Sequence, residues 1–458
     1  MDDTEVTTAR YTNPIRSHDV PDPDAIRLSS GGYALVASSF DRRPGLPLWW
    51  SDDLVQWQPV GFAGGWRPLL HPSGGVWAPS IREHDGRLFI TWADPDRGVL
   101  VVDAPGLGGP WSEPRALITG PGPIDPCPLW DDDGRAWLIH GWARSRAGFA
   151  NRLDIVEVDA GLRHTVSESR VAVDGDAIVG CTVLEGPKLY RRGDHYWIFA
   201  PAGGVESGWQ YAFRSSDLNG PWEHRLVLEQ GASAVNGPHQ GAWVSGADGE
   251  EWFLHFQHTA LHGRILHLQP LVWSADGWPR IGAAVDGGRD EPVAQWRHPT
   301  RLPVEPPSVR ALGAPAGWHG RGADPVDLVE SHDAHSVRLR KAGALAQPLD
   351  ARTLRIQATL REGAGALSMF GLASHSLRVV PHDSPAPAVR DGETLAHAAL
   401  PCRLGIEIDG DSAQFVVDGI ATGQPFALVP PQWTGMEFGL SATGDEGALF
   451  EDVHVELG

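Results

Sequence analysis

An all-β chain in two parts is the fold class this sequence predicts: a five-bladed β-propeller followed by a β-sandwich. Three observations carry it. Gly-containing turns running into aromatic and β-branched strands recur at GGYALVASS (from residue 31), DGRLFITWA (85), DGRAWLIHG (133), GDHYWIFAP (193) and GEEWFLHFQ (249), with starts 54, 48, 60 and 56 residues apart. No long stretch of 3.6-residue periodicity interrupts them. Eighteen of the 20 tryptophans precede residue 300, and TRLPVEPPSVRALGAPAG at 300–317 is a Pro-rich break after which tryptophan nearly vanishes.

Each of the five units is long enough for about four strands, the content of one propeller blade. The Asp-Gly pairs are hairpin signals. DDDG at 131–134 also suggests a calcium loop, but Leu129 and His140 stand at its first and twelfth positions, where EF-hand ligands belong, so the hairpin reading wins. The expected organisation is a propeller over 1–300, a linker over 301–317 and a sandwich over 318–458. The last part shows alternating short runs, SVRLRK, TLRIQATL, CRLGIEIDG, AQFVVDG, MEFGLSATG and FEDVHVEL, with turn signals between them.

Composition narrows the function. Hydrophobic residues make up 41% of the 458, enough for globular folding, and the formal charge of −21 repels phosphate, which argues against nucleic acid or an anionic membrane as partner. A small neutral ligand is the better expectation. The start, MDDTEVTTARYTNP, has neither a basic nor an apolar leader pattern, and no run of 18 apolar residues occurs, so a cytoplasmic protein is expected. Cys127, Cys181 and Cys402 are too widely spaced for a metal motif and read as buried thiols.

A second regularity precedes each strand unit: PDPD (21–24), WAPS (77–80), IDPC (124–127), EGPK (185–188) and NGPHQ (236–240). A propeller brings equivalent positions of successive blades around one axis. Asp22, Asp125 and Glu185 would then converge with Trp77 and His239. Taken singly, an Asp before Pro is an ordinary turn opener. Three acids at matching repeat positions are harder to explain by turns, since like charges gathered at one mouth repel one another.

These stretches resemble glycoside hydrolase family 43, whose members are five-bladed propellers acting on xylose- and arabinose-containing glycans. The resemblance runs through NPI with PDPDAIR, SSFDRRPGLPLWWSDDLVQW, GGVWAPSIR, IDPCPLWDDDGRAWLIHG, EGPKLYRRGDHYWIFAPAGG, NGPHQGAWV and GRILHLQPLVWSADGWPRIG, covering almost all of residues 12–282. The similarity is greatest to the β-xylosidase and α-L-arabinofuranosidase branch, in which a concanavalin-like sandwich follows the propeller. It implies Asp22 as general base, Glu185 as general acid and Asp125 as the residue that orients Glu185 and tunes its pKa. It also implies an inverting mechanism, with acid and base about 6.5–9.5 Å apart, and exo-acting release of xylose or L-arabinose from short oligosaccharides. An endo-acting arabinanase and a non-catalytic sugar-binding propeller are the alternatives. Oligomeric state is not legible.

The same resemblance suggests Phe40 and Trp77 as apolar walls of the sugar site and Arg264 as a donor to sugar hydroxyls. Core packing is the competing reading for the aromatics, and a structural ion pair for Arg264. Asp24 either binds sugar or closes a turn and is not counted as catalytic. Arg42 and Arg43 occupy a loop where relatives are often aromatic or polar. His255, His258, His262 and His267 lack the spacing of a zinc site. His239 lies where some members hold a calcium ion or water cluster, so calcium at His239 is an expectation of the resemblance, although the chemistry needs no cofactor.

Overall fold

The computed structural model describes residues 9–63, 75–285, 289–307, 318–321, 325–333, 335–340, 344–371, 373–381, 389–430, 434–443 and 447–457. Most of the expected 301–317 linker, from 308 onward, lies outside the described residues, as do the first eight residues, on which the cytoplasmic expectation leans.

Five four-stranded antiparallel sheets follow in chain order. Sheet 1 is Asp24–Arg27, Tyr33–Val36, Pro47–Ser51 and Gln58–Phe62. Sheet 2 is Trp77–His84, Arg87–Asp94, Gly98–Ala104 and Arg115–Thr119. Sheet 3 is Pro123–Trp130, Ala136–Trp142, Arg152–Val158 and Arg170–Asp174. Sheet 4 is Lys188–Arg192, His195–Ala202, Trp209–Ser215 and Glu223–Leu228, and sheet 5 is His239–Ser245, Glu251–Thr259, Gly263–Trp273 and Pro279–Ile281. Every turn-and-strand unit read from the sequence is the second strand of its sheet.

Apolar side chains fill the space between neighbouring sheets. Separate cores join sheets 1 and 2, 2 and 3, 3 and 4, and 4 and 5, and a further core joins sheet 5 back to sheet 1. Second strands are therefore covered on both faces, which is why Arg87–Asp94 reads as a run of apolar residues rather than an alternation; Trp92, within it, is fully buried. The first strands of sheets 1, 2, 3 and 4 touch in succession, and that of sheet 5 touches that of sheet 1. Arg10–Thr12 pairs with Gln295–Arg297, and Tyr11 donates its hydroxyl to the Leu268 carbonyl at 2.8 Å, tying both ends of this region to sheet 5.

One backbone feature recurs at the head of every sheet. The residue before the motif proline is left-handed each time: Asp22 (φ 51°), Ala78 (39°), Asp125 (57°), Gly186 (59°) and Gly237 (51°). In sheets 2 and 3 it falls in a β-bulge, because Trp77 and Ser80 face Ala93 and Thr91, while Ile124 and Cys127 face Gly141 and Ile139. A bulge bends the strand and re-aims a side chain. This register corrects the expectation of matching positions for the acids. Asp22 and Asp125 are equivalent, but Glu185 stands one residue earlier and is the equivalent of Trp77.

Past the Pro-rich segment the chain forms a six-stranded and a seven-stranded sheet. The first runs in the order His319–Arg321, Ala344–Pro348, Glu437–Ala442, Gly365–Phe370, His375–Pro381 and Glu393–Ala398. Their facing residues, among them Leu345, Leu367 and Phe438 from one sheet and Ile356, Phe415 and Phe450 from the other, make a single core. Backbone hydrogen bonds join this region to the first: Gly320 donates to the Arg43 carbonyl at 2.7 Å, Met436 to Leu261 at 2.9 Å and Ala351 to Ser17 at 2.9 Å.

Candidate active site

Asp22 and Asp125 are both buried, and both are presented by the strained left-handed turn that precedes a proline. Asp22 Oδ2 accepts from the Ser38 hydroxyl at 2.5 Å, and Oδ1 pairs with Nη1 of Arg264. Asp125 Oδ2 accepts from the Gly186 amide at 2.7 Å, which places it beside Glu185. Gly141 lines that meeting, and an alanine there would make only ordinary contacts. A Cβ there would lie 3.6 Å from Glu185 Cα and 3.7 Å from Asp125 Oδ2, so any larger side chain would have to enter the space between the two acids.

Crowding of acids sets the electrostatics. Burial and then the charge of Asp22 push the Asp125 carboxyl above the ordinary range, against the Gly186 amide, Lys188 and Arg264. Burial and then Asp125 push Glu185 upward too, with Asp22 adding to the effect and Arg264 opposing it. His239 is fully buried with Nε2 3.5 Å from Glu185 Oε1, but burial and the nearby Arg264 push its pKa down to about 3, so the ring is neutral and the contact is no ion pair. Neither His239 ring nitrogen has a hydrogen-bond partner among the described residues.

Arg264 sits at the start of the third strand of sheet 5 with its guanidinium 5.0 Å from the Phe256 ring centre and 5.7 Å from that of Phe40. Phe40 and the half-buried Trp77 meet edge to face, centroids 6.2 Å apart. All seven residues singled out in the sequence thus belong to one connected cluster. It offers raised carboxyls that can give a proton, a carboxylate paired with a guanidinium, and an aromatic wall.

The sequence profile of the family described as Glycosyl hydrolases family 43 matches residues 11–279. The chain belongs to this family. It is 39% identical over 296 residues to a protein of Xylanibacter ruminicola named putative beta-xylosidase, the match covering 63% of this chain and 54% of the relative. It is 30% identical over 298 residues to a non-reducing end alpha-L-arabinofuranosidase of Bacteroides ovatus, covering 59% and 53%. The chain spans about half the length of the curated relatives it matches. Among solved structures, a xylan beta-1,4-xylosidase from Bacillus halodurans C-125 superposes with a TM-score of 0.76 at 22% identity, over 96% of this chain and 99% of that one. A family 43 protein retrieved from capybara gut metagenome gives 0.77 at 19%, over 96% and 97%. At such identities the likeness speaks for the fold.

Other residues weighed in the sequence have other surroundings. Asp24 faces away from the acids: its Oδ2 accepts from the Ile81 amide at 2.8 Å and from Arg82 Nη1 at 2.7 Å, and Lys188 Nζ lies 3.9 Å from Oδ1. Cys127 belongs to the same buried network, 3.0 Å from Arg82 Nη2, and is more than an apolar thiol. His255 and His267 stack at 5.2 Å and are hydrogen-bonded, to Phe256 O and Gln269 for the first and Gln257 for the second. Among the described residues no group of three or more His, Cys, Asp or Glu side chains could hold a metal ion. Calcium takes about 6–8 oxygen ligands, waters among them, and beside His239 the described residues offer one carboxyl, that of Glu185 with Oε1 3.5 Å from Nε2, so they form no protein cage of their own for the ion. Ser38 and Gly141 escaped the sequence reading. Each precedes no proline and lies in a plain strand or its edge, so nothing in the local pattern marks it.

Proposed function

We propose that this family 43 chain is an inverting, exo-acting glycoside hydrolase that releases xylose or L-arabinose from short oligosaccharides. In this reading the five sheets of residues 1–300 are the blades of a propeller, and a concanavalin-like sandwich over 318–458 follows the linker. The observation that carries it is the pairing of unlike carboxyls at one mouth: Glu185, whose proton is held by burial and by Asp125, and Asp22, set against Arg264 and Ser38. The names of the relatives, beta-xylosidase and non-reducing end alpha-L-arabinofuranosidase, support the choice of sugars and the exo action.

Glu185 donates its proton to the glycosidic oxygen as the bond to the anomeric carbon breaks. Asp22 takes a proton from water, whose oxygen attacks that carbon from the opposite face. The leaving alcohol and an inverted sugar result, and acid and base have exchanged one proton each with the reactants. Burial and then like-charge repulsion from Asp125 keep Glu185 protonated near neutral pH, and Asp125 aims it through the Gly186 amide. Phe40 and Trp77 wall the sugar, while His239 and the Arg264 Nε, buried without partners among the described residues, supply polar contacts to its hydroxyls. The carboxyls provide acid and base themselves, so no cofactor takes a step. Cytoplasmic action on imported fragments is part of the proposal.

Proton NMR of the first product from nitrophenyl β-xyloside and nitrophenyl α-L-arabinofuranoside tests the reading. The sugar should appear first with inverted anomeric configuration on at least one substrate. A first product with the substrate's own configuration would mean a carboxylate nucleophile and a retaining enzyme, and no turnover of either would remove the proposed substrates.

A further inference from the structure

A buried carboxylate outside the proposed machinery joins the two regions of the molecule beside the site. Glu437 opens the strand Glu437–Ala442 of the C-terminal six-stranded sheet and is 2% exposed. Its Oε1 lies 2.5 Å from Arg42 Nε and 3.1 Å from His319 Nε2, and its Oε2 pairs with Arg321. Although burial pushes its carboxyl upward, Arg42 first, then the contacts with His319 and Arg321, hold it well below the ordinary range, so it is charged. Arg42 uses its other arm on Asp19, Nη2 to Oδ2 at 2.8 Å. Asp19 Oδ1 in turn accepts from the backbone amide of Arg264 at 2.8 Å, and the Arg264 side chain holds Asp22.

The backbone around this relay is pinned independently. Arg42 lies in the loop that carries Phe40; Phe40 pairs with Val76 across a β-bridge, and Arg43 does so with Gly320 of the C-terminal region. Gly263, with φ 72°, is wedged in the seam, where a Cβ would come within 2.3 Å of Asp19 Oδ1 and 2.4 Å of the Gly435 amide nitrogen. Only a glycine fits such an approach. The guanidinium fork of Arg42 spans two carboxylates from different regions, which a point charge such as lysine cannot do.

We infer that Glu437 is a positioning residue for the active site: through Arg42 and Asp19, the C-terminal region fixes both the loop carrying Phe40 and the strand start carrying Arg264, the partner of Asp22. The inference rests on the hydrolase reading for its kinetic consequence but not for its structural one. Without the charge of Glu437, Arg42 loses one anchor, and the 40–46 loop and the Asp19–Arg264 contact gain freedom in the folded protein.

The test combines hydrogen exchange with kinetics on Glu437→Gln, which keeps shape and removes charge. Amides of 39–46 and 263–264 should exchange faster than in the parent chain while sheets 2 to 4 stay protected, and kcat/KM should fall by about 10- to 100-fold, the scale of a small misplacement of reacting groups. A double variant with Arg42→Lys should lose no more than the worse single variant, because both break one relay. Wild-type exchange in those segments would overturn the inference, as would faster exchange with unchanged kcat/KM in folded protein. Should Glu437→Gln not fold, Arg42→Lys, which keeps the charge, is read by the same two criteria; if neither folds, the relay is structural only and the inference fails. A wild-type chain that cleaves neither nitrophenyl glycoside would defeat the hydrolase reading alone, since the exchange pattern still reports on the brace.

Discussion

Asp22 and Asp24 stand two residues apart in one short stretch, both buried, and they end in opposite surroundings. Asp22 belongs to a layer of three carboxyls, with Asp125 and Glu185, that shares the guanidinium of Arg264. Asp24 belongs to the layer beneath, one carboxylate among Arg82, Lys188 and the Ile81 amide. Burial is nearly alike for the aspartates of the two layers, while Glu185 is half-buried. Charge balance differs: surplus acid in the upper layer keeps protons available, while surplus cation in the lower layer ties sheets 1, 2 and 4 together. The lesson is that position in a repeat brings carboxyls together, and their partners decide whether they do chemistry or hold structure.

The sharpest break of this comparison is Asp24→Asn. Removing one member of a buried ion network leaves uncompensated charge, which costs about 3–5 kcal/mol. Denaturant unfolding should show a loss of that size, while kcat/KM per folded molecule stays within a few-fold of wild type. A normal stability with lost turnover would move Asp24 into the upper layer.

Asp125→Asn asks a finer question. Burial remains, but the like charge is gone, so the pKa of Glu185 falls. Activity needs the protonated acid and is lost as pH rises through that pKa, so the alkaline limb of the kcat/KM profile should move to lower pH. An unmoved limb in a folded variant would leave burial as the whole cause.

The smallest expected effect is on stability. Glu185 has a folded pKa raised above its unfolded value, so the stability it contributes is complete below the ordinary Glu range and is lost as pH rises through the raised value. Glu185→Gln should therefore raise the melting temperature modestly at alkaline pH and leave it unchanged near pH 4, read by calorimetry at both. A gain at both pH values would point to packing rather than ionisation.

Much of the upper layer was legible because its signals are local and repeated. Asp22 and Asp125 stand beside a proline and Glu185 stands one residue from one, each at the head of a strand unit, and the period of the units places the heads together. The one-residue offset of Glu185 was not legible, since it depends on which motif residue turns left-handed, and Glu185-Gly186-Pro187 aligns by its glycine rather than by its acid. The role of Asp24 was hidden for another reason: alternation along a strand puts it on the same side as Asp22, but the left-handed turn at Asp22 breaks that alternation. Arg42 and Glu437 are 395 residues apart, and no local pattern links them. Two-sheet character in the C-terminal region was readable from short runs and turns, whereas its buried ion cluster against the site loop was not.

The division between acid and base is tested most directly by varying the leaving group. Glu185→Ala should lose on the order of 10²- to 10⁴-fold in rate on a disaccharide, whose alkoxide needs a proton to depart. On a dinitrophenyl glycoside, whose phenolate leaves unaided, it should lose far less, while Asp22→Ala should be severely impaired on both because water must be activated in either case. Equal losses for both variants on both substrates would contradict the assignment of Glu185 as acid and Asp22 as base.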